Sequence, residues 1–234
     1  MKHDCARSCQ KGLTLIEIMI ALLIGVFLLG GIIQIFIGSK QTYRMQEGLS
    51  RLQENGRFAL DFLAKDIRMG GYRECLDFTV PTPITGTNNT GLNASDTITI
   101  QQSTSACSTP ASATPFATIT YSVQTGAGGQ PALFIKNGTT PAQERVEGIE
   151  DMQIFYGADT NADNTSDYYV PAGTAGLNMD QVVSVRISLL AVTPDNNLTA
   201  QPVLYTYNGV PTTPTDRKIR RVFNTTIAVR NRLP

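Results

Sequence analysis

Histidine is almost absent. The chain has 234 residues and one histidine, His3. Beyond it there is no imidazole for Ser-His-Asp or Cys-His catalysis, or for a histidine metal site. The sequence contains no GxSxG turn, no P-loop, no dinucleotide fingerprint and no internal repeat. Cations are not in excess either: 19 Lys and Arg stand against 19 Asp and Glu. That balance argues against a general nucleic-acid surface. Neither enzymatic activity nor a nucleic-acid partner is expected.

What is present is a long apolar run behind a short basic leader. Met1 to Gly12 carries Lys2, Arg7 and Lys11 against Asp4, a bias that keeps this end cytoplasmic. From Leu13 to Ile37 the side chains are apolar except for Thr14, Glu17 and Gln34. As a helix the run spans roughly 37 Å, more than a hydrocarbon core of about 30 Å. Glu17 is the anomaly. A carboxylate at membrane depth costs about 2.5–3.5 kcal/mol even on lenient insertion scales. No basic residue lies near it in its own helix. An ordinary secretory signal is cut after its apolar stretch. Here the sharp small-residue boundary is Gly12, before the stretch. Cutting there leaves the apolar helix on the product, with Leu13 first and Glu17 fifth.

Lys11-Gly12-Leu13-Thr14-Leu15-Ile16-Glu17 resembles the class III signal of type IV pilins and type II secretion pseudopilins. The resemblance implies cleavage after Gly12 by a membrane prepilin peptidase and N-methylation of Leu13. The family usually has phenylalanine at that position. It also implies that Glu17 pairs with the N-terminal amine of a neighbouring subunit. Three further segments resemble PilW-type minor pilins: the arm Leu52-Gln53-Glu54-Asn55-Gly56-Arg57-Phe58-Ala59-Leu60-Asp61, the stretch from Val146 to Gly157, and the ending from Arg220 to Arg232. The arm is less similar to J-type minor pseudopilins.

The expected fold is α+β. A transmembrane helix over 13–37 continues as an amphipathic arm over 38–71, and an antiparallel β domain fills 72–234, behind a leader over 1–12. Met45, Leu49, Leu52, Ala59, Phe62, Leu63 and Ile67 give the arm one apolar face. Phe58, Phe62 and Ile67 are expected to pack on the sheet. Gly70-Gly71 is the stop signal, and Gly30-Gly31 is where a local melt is expected. Strands are expected at Thr97–Gln101, Phe116–Val123, Ala132–Lys136, Met152–Tyr156, Val182–Val192 and Arg221–Arg230. Thr82–Asn93 and Gly126–Gly129 read as turns. The cations Arg217, Lys218, Arg220, Arg221, Arg230 and Arg232 read as a solvated strand edge.

Cys5 and Cys9 leave with the leader. Cys75 and Cys107 remain as one pair in a domain expected to face the periplasm, where a disulfide is favoured. Closing a loop of about thirty residues would add roughly 3–4 kcal/mol in the chain-entropy model. Asp159, Asn161, Asp163, Thr165 and Asp167 put oxygens at alternate loop positions. Such spacing suits Ca²⁺. Asn164 stands where an EF-hand has glycine, and Val170 where it has the bidentate glutamate, so a plain polar turn is the competing reading. No cofactor is required by either reading.

The resemblance implies a structural minor pilin that helps prime type IV pilus assembly, near the tip, with indirect roles in motility and adhesion. The implied partners are the prepilin peptidase, the major and other minor pilins, and the inner-membrane assembly platform. The implied location is the inner membrane, with the C-terminal domain periplasmic, and then the pilus. A J-type pseudopilin of a secretion machine, or a DNA- or surface-binding pilin, are the alternative expectations.

Overall fold

The structure is a computed structural model. It describes residues 12–73, 80, 82–103 and 116–232. One long helix, α1 (Leu15–Met69), begins the described chain. Thr14 caps it: its Oγ1 accepts from the Glu17 N–H at 3.3 Å, and its carbonyl accepts from Ile18 at 3.2 Å. The glutamate falls in the first turn, where the helix dipole favours negative charge.

By compactness the chain divides into two units, Met1–Met45 and Gln46–Pro234. In the first, the apolar side chains between Leu15 and Ile37 are all exposed. The segment is long and apolar enough to cross a membrane by length and composition. In the single chain it is helical through Gly30-Gly31, the place where a local melt is expected when helices pack in a filament core. The intact run of i to i−4 bonds holds the backbone there despite the glycines. A methyl group added at Gly25, Gly30, Gly31 or Gly38 would meet nothing, so these positions leave bare backbone of the kind that admits close helix contact in lipid.

The second unit begins inside α1. Gly48, Leu52, Gly56, Ala59, Leu63 and Ile67 are buried, and their spacing of three and four makes one face. Phe58 and Phe62 are 49% and 41% exposed, so they do not pack on the sheet as expected. At Gly56 the buried face is small because an aromatic ring comes to it from the sheet. The Phe223 ring stands where a Cβ on Gly56 would sit, 2.4 Å from that position. The helix stops at Met69 before Gly70-Gly71. Gly71 takes φ +75°, and Asn231 donates to the carbonyls of Arg68 and Gly70 at 3.3 Å.

Two antiparallel sheets follow. The first is a meander of β1 (Ile84–Thr87), β2 (Thr97–Ser103), β3 (Phe116–Thr125), β4 (Pro131–Asn137) and β5 (Gln143–Glu147), in that order. The second has β6 (Ile149–Ala158), β7 (Tyr168–Val170), β8 (Val182–Val192) and β11 (Arg220–Ala228), ordered β11-β8-β6-β7. A short hairpin, β9 (Tyr205–Tyr207) with β10 (Val210–Thr212), stands apart in pairing. Gly148 joins the sheets. Its φ is +77°, and a Cβ there would lie 2.7 Å from the Val192 carbonyl oxygen. Its own carbonyl accepts from Val192 N–H and its N–H donates to Pro131, both at 2.8 Å. Tyr121, Tyr156, Met152, Ile154, Leu133 and Ile187 fill the core with the helix face.

β1 lies inside a stretch expected to be only turn. Its Thr-Gly-Thr composition is weak for a strand, but Ile84 pairs with Ile100 and tertiary pairing overrides propensity. Gly86 is required there because the Tyr156 hydroxyl fills the place of its Cβ.

Candidate functional site

The N-terminal end of α1 holds the first group of expected residues. Gly12 and Leu13 are exposed, Leu13 at 70%. Glu17 is exposed among Ile16, Ile18 and Ile20, and no described cation pairs with it. Once the helix is in lipid, a carboxylate so placed needs a compensating cation that none of the described residues supplies. The structure leaves it exposed in the first turn of α1, close to Leu13.

The arm adds a second surface. Phe58 lies with Ser50, Gln53, Glu54, Arg57 and Asp61 around a groove of about 410 Å³. This is the face of α1 turned away from its buried stripe.

The 159–167 loop is held by its own donors. Asp159 is 8% exposed, and its carboxylate accepts from the N–H groups of Asn161, Ala162 and Asn164 at 3.2, 2.7 and 2.8 Å. Asp163 accepts from Thr165 N–H at 2.8 Å and from the Thr165 hydroxyl, which together hold its carboxyl below the usual range, the hydroxyl contributing most. Asp167 accepts from Thr160 N–H at 2.7 Å and from its hydroxyl at 2.6 Å. Asn161 bridges Asp163 and Asp167 with its amide, at 3.1 and 3.3 Å. Among the described residues no three acidic, cysteine or histidine groups form a metal cluster. The five expected oxygens therefore share a loop, but its carboxylates are aimed at loop amides rather than at one common point. Cys75 and Cys107 lie outside the described residues.

Arg220 departs from the expected solvated edge. Its side chain is 7% exposed. Nε and Nη2 donate to Glu150 at 2.6 and 2.9 Å, and Nη1 and Nη2 to Asp216, both at 2.8 Å. Burial alone would lower its pKa, but the bonds it donates to Asp216 and Glu150 reverse this and raise it. The same fork takes Asp216 down to about 2, chiefly through the hydrogen bond from Arg220. Arg221 and Arg230 are exposed, as expected of an edge. Sequence reading missed Arg220 because its partners are 4 and 70 residues away. The Arg-Arg pair looks uniformly solvated until strand alternation turns one of the two inward.

Residues 120–231 match the family model described as Type IV Pilus-assembly protein W. Residues 7–33 match the Prokaryotic N-terminal methylation motif. The first match runs from within β3 to the end of β11 and beyond; the second covers Gly12, Leu13, Glu17 and the start of the apolar helix. Among solved structures, a type IV-like pilin from Thermus thermophilus resembles the chain at 15% identity and a TM-score of 0.49, over 79% of this chain and 99% of that one. No curated protein sequence matches.

Proposed function

We propose, from the match of residues 120–231 to the Type IV Pilus-assembly protein W model and of residues 7–33 to the N-terminal methylation motif, that this chain is a PilW-type minor pilin that helps start pilus assembly within a complex at the filament tip. The observation that carries the proposal is the pairing of two parts in one chain. A methylation motif opens onto an apolar helix with an exposed Glu17 that no described cation pairs, and a match to the PilW model follows at residues 120–231. The first part suits a subunit that is processed and then packed by its helix. The second favours a pilus over a secretion machine.

The physical steps follow from the residues. A peptidase cuts after Gly12 and exposes the amine of Leu13. The helix waits in the inner membrane with its sheet domain on the periplasmic side. On entry to the filament, the Glu17 carboxylate meets the amine of a neighbouring subunit, and the mutual neutralisation repays desolvation only in the correct axial register. Motility and adhesion follow indirectly from having pili. The test is Glu17→Val in the full chain. The variant should reach the membrane as well as the parent and be recovered with other pilins much less. Equal recovery would remove the proposed role.

A further inference from the structure

The β9–β10 hairpin stands beside a cleft of about 690 Å³, a size typical of small-molecule sites. Asp151 and Gln153 from β6, Leu190 from β8, Tyr205 and Asn208 from the hairpin, and Asn89 line it. The wall is fixed from behind. Ser95 donates to Asp151 Oδ1 at 2.7 Å, and Gln153 donates to the Ala94 carbonyl at 2.9 Å and to Asp151 at 3.2 Å. Asn208 holds the hairpin turn at φ +49°, followed by Gly209 at +78°. Arg220 lies over the Tyr205 ring, 5.4 Å from its centroid.

The lining has a definite chemistry. Carboxamides offer a donor and an acceptor side by side, and a carboxylate accepts from two donors. That set matches vicinal hydroxyls, each of which donates and accepts. Tyr205 and Leu190 add apolar surface for C–H faces. No lysine or arginine lines the cleft, and the nearby Arg220 is engaged by Glu150 and Asp216. A phosphate, a sulfate or a nucleic-acid backbone would meet acidic groups and no cation. We propose that this cleft binds a neutral saccharide, through Asp151, Asn89 and Asn208 to its hydroxyls and Tyr205 to its apolar face.

Neutral sugar rings reach such a cleft from two sources, N-acetylated cell-wall glycan and plain hexose glycans of another surface. The test titrates the full chain, in a detergent without a sugar headgroup, with chitotriose and with lactose, read by calorimetry. Saturable binding of either is expected, and the tighter of the two names the source. Asn208→Gly keeps the left-handed turn and removes the amide; Asp151→Asn keeps the shape and removes the charge. Each should weaken binding about tenfold, as loss of a hydrogen bond to a charged or amide group does; Asn208→Gly should do so with an unchanged melting temperature, and Asp151→Asn, whose carboxylate also accepts from Ser95 and Gln153, is titrated well below its own melting transition. Tyr205→Ala should abolish it. No binding of either sugar at about 20 mM, an affinity beyond millimolar detection, overturns the proposal. So does equal affinity in Asn208→Gly and Asp151→Asn, or tighter binding of a polyphosphate probe than of either sugar. Loss of binding with normal filament entry would leave the assembly proposal intact, so the two fail separately.

Discussion

Gly56 shows how one residue fixes a helix on a sheet. Glycine inside a helix costs about 1 kcal/mol relative to alanine, yet here it admits the Phe223 ring. Gly56→Ala should therefore destabilise the domain by about 1–3 kcal/mol, the overpacking cost exceeding the helix-propensity gain. Gly56→Ala combined with Phe223→Ala should cost less than the two singly, because the clash vanishes. Denaturant unfolding of the four chains measures this, and strict additivity contradicts it. Arg220 makes a second residue-scale prediction. Asp216 has its folded pKa lowered to about 2, so its contribution is present above the unfolded pKa, about 3.8, and is lost as pH falls through about 2. With part of its side chain in solvent, that contribution is discounted to about 1–2 kcal/mol. The stability gap between the parent chain and Asp216→Asn should be full at pH 6 and close between about pH 4 and pH 2. Asp96 and Asp151 act oppositely. Burial raises both pKa values, so each costs stability as pH rises from the unfolded pKa through the raised one. The difference between parent and variant cancels their effect.

Among the elements, α1 divides into two kinds of apolar surface that composition alone does not separate. Leu63 is fully buried while Phe62 beside it is 41% exposed. Leu63→Ala should cost about 2–5 kcal/mol, whereas Phe58→Ala and Phe62→Ala should each stay within about 1 kcal/mol. A melting series on the three variants decides it. The helix, its stop at Gly70-Gly71 and strands such as Val182–Val192 were legible because periodicity and turn residues are local signals. β1, β5, β7 and the β9–β10 hairpin were not, because strands of three to five residues are too short to show a period, although Asn208-Gly209 is a local hairpin signal. Phe58 and Phe62 misled for a related reason. An aromatic at helical spacing reads as core, and only the position of Phe223 shows why Gly56 shares the core face with Leu52, Ala59, Leu63 and Ile67. The loop at 159–167 was legible as a polar turn rich in oxygens, but the direction of its carboxylates was not. Asp159→Ala should cost about 2–3 kcal/mol through three orphaned N–H groups, with or without calcium. Calcium at this loop remains a proposal: a cation must draw Asp163 and Asp167 away from the Asn161 bridge. A rise in melting temperature with millimolar calcium, absent in Asp163→Ala, supports it, and no rise leaves the self-bonded turn.

For the whole molecule, the N-terminal signal was the most legible feature and its consequences reach furthest. Gly12, Leu13 and Glu17 mean little as isolated residues. Their order ahead of an unbroken apolar helix gives them meaning, and residues 7–33 carry a methylation motif accordingly. The proposed disulfide between Cys75 and Cys107 belongs to this scale too, because it depends on which compartment receives the domain. Peptide mapping without reductant should recover the two cysteines in one cross-linked pair, and two alkylatable thiols would refute both the bond and the periplasmic placement that favours it. Filament entry is the most direct test of all. Pili sheared from cells expressing the full chain would be analysed by mass spectrometry for its N-terminal peptide. The account predicts a peptide beginning at methylated Leu13 in the filament fraction, and its loss from that fraction, though not from the membrane, in Glu17→Val. A chain that keeps its leader, or that reaches filaments equally well without the carboxylate, would contradict it.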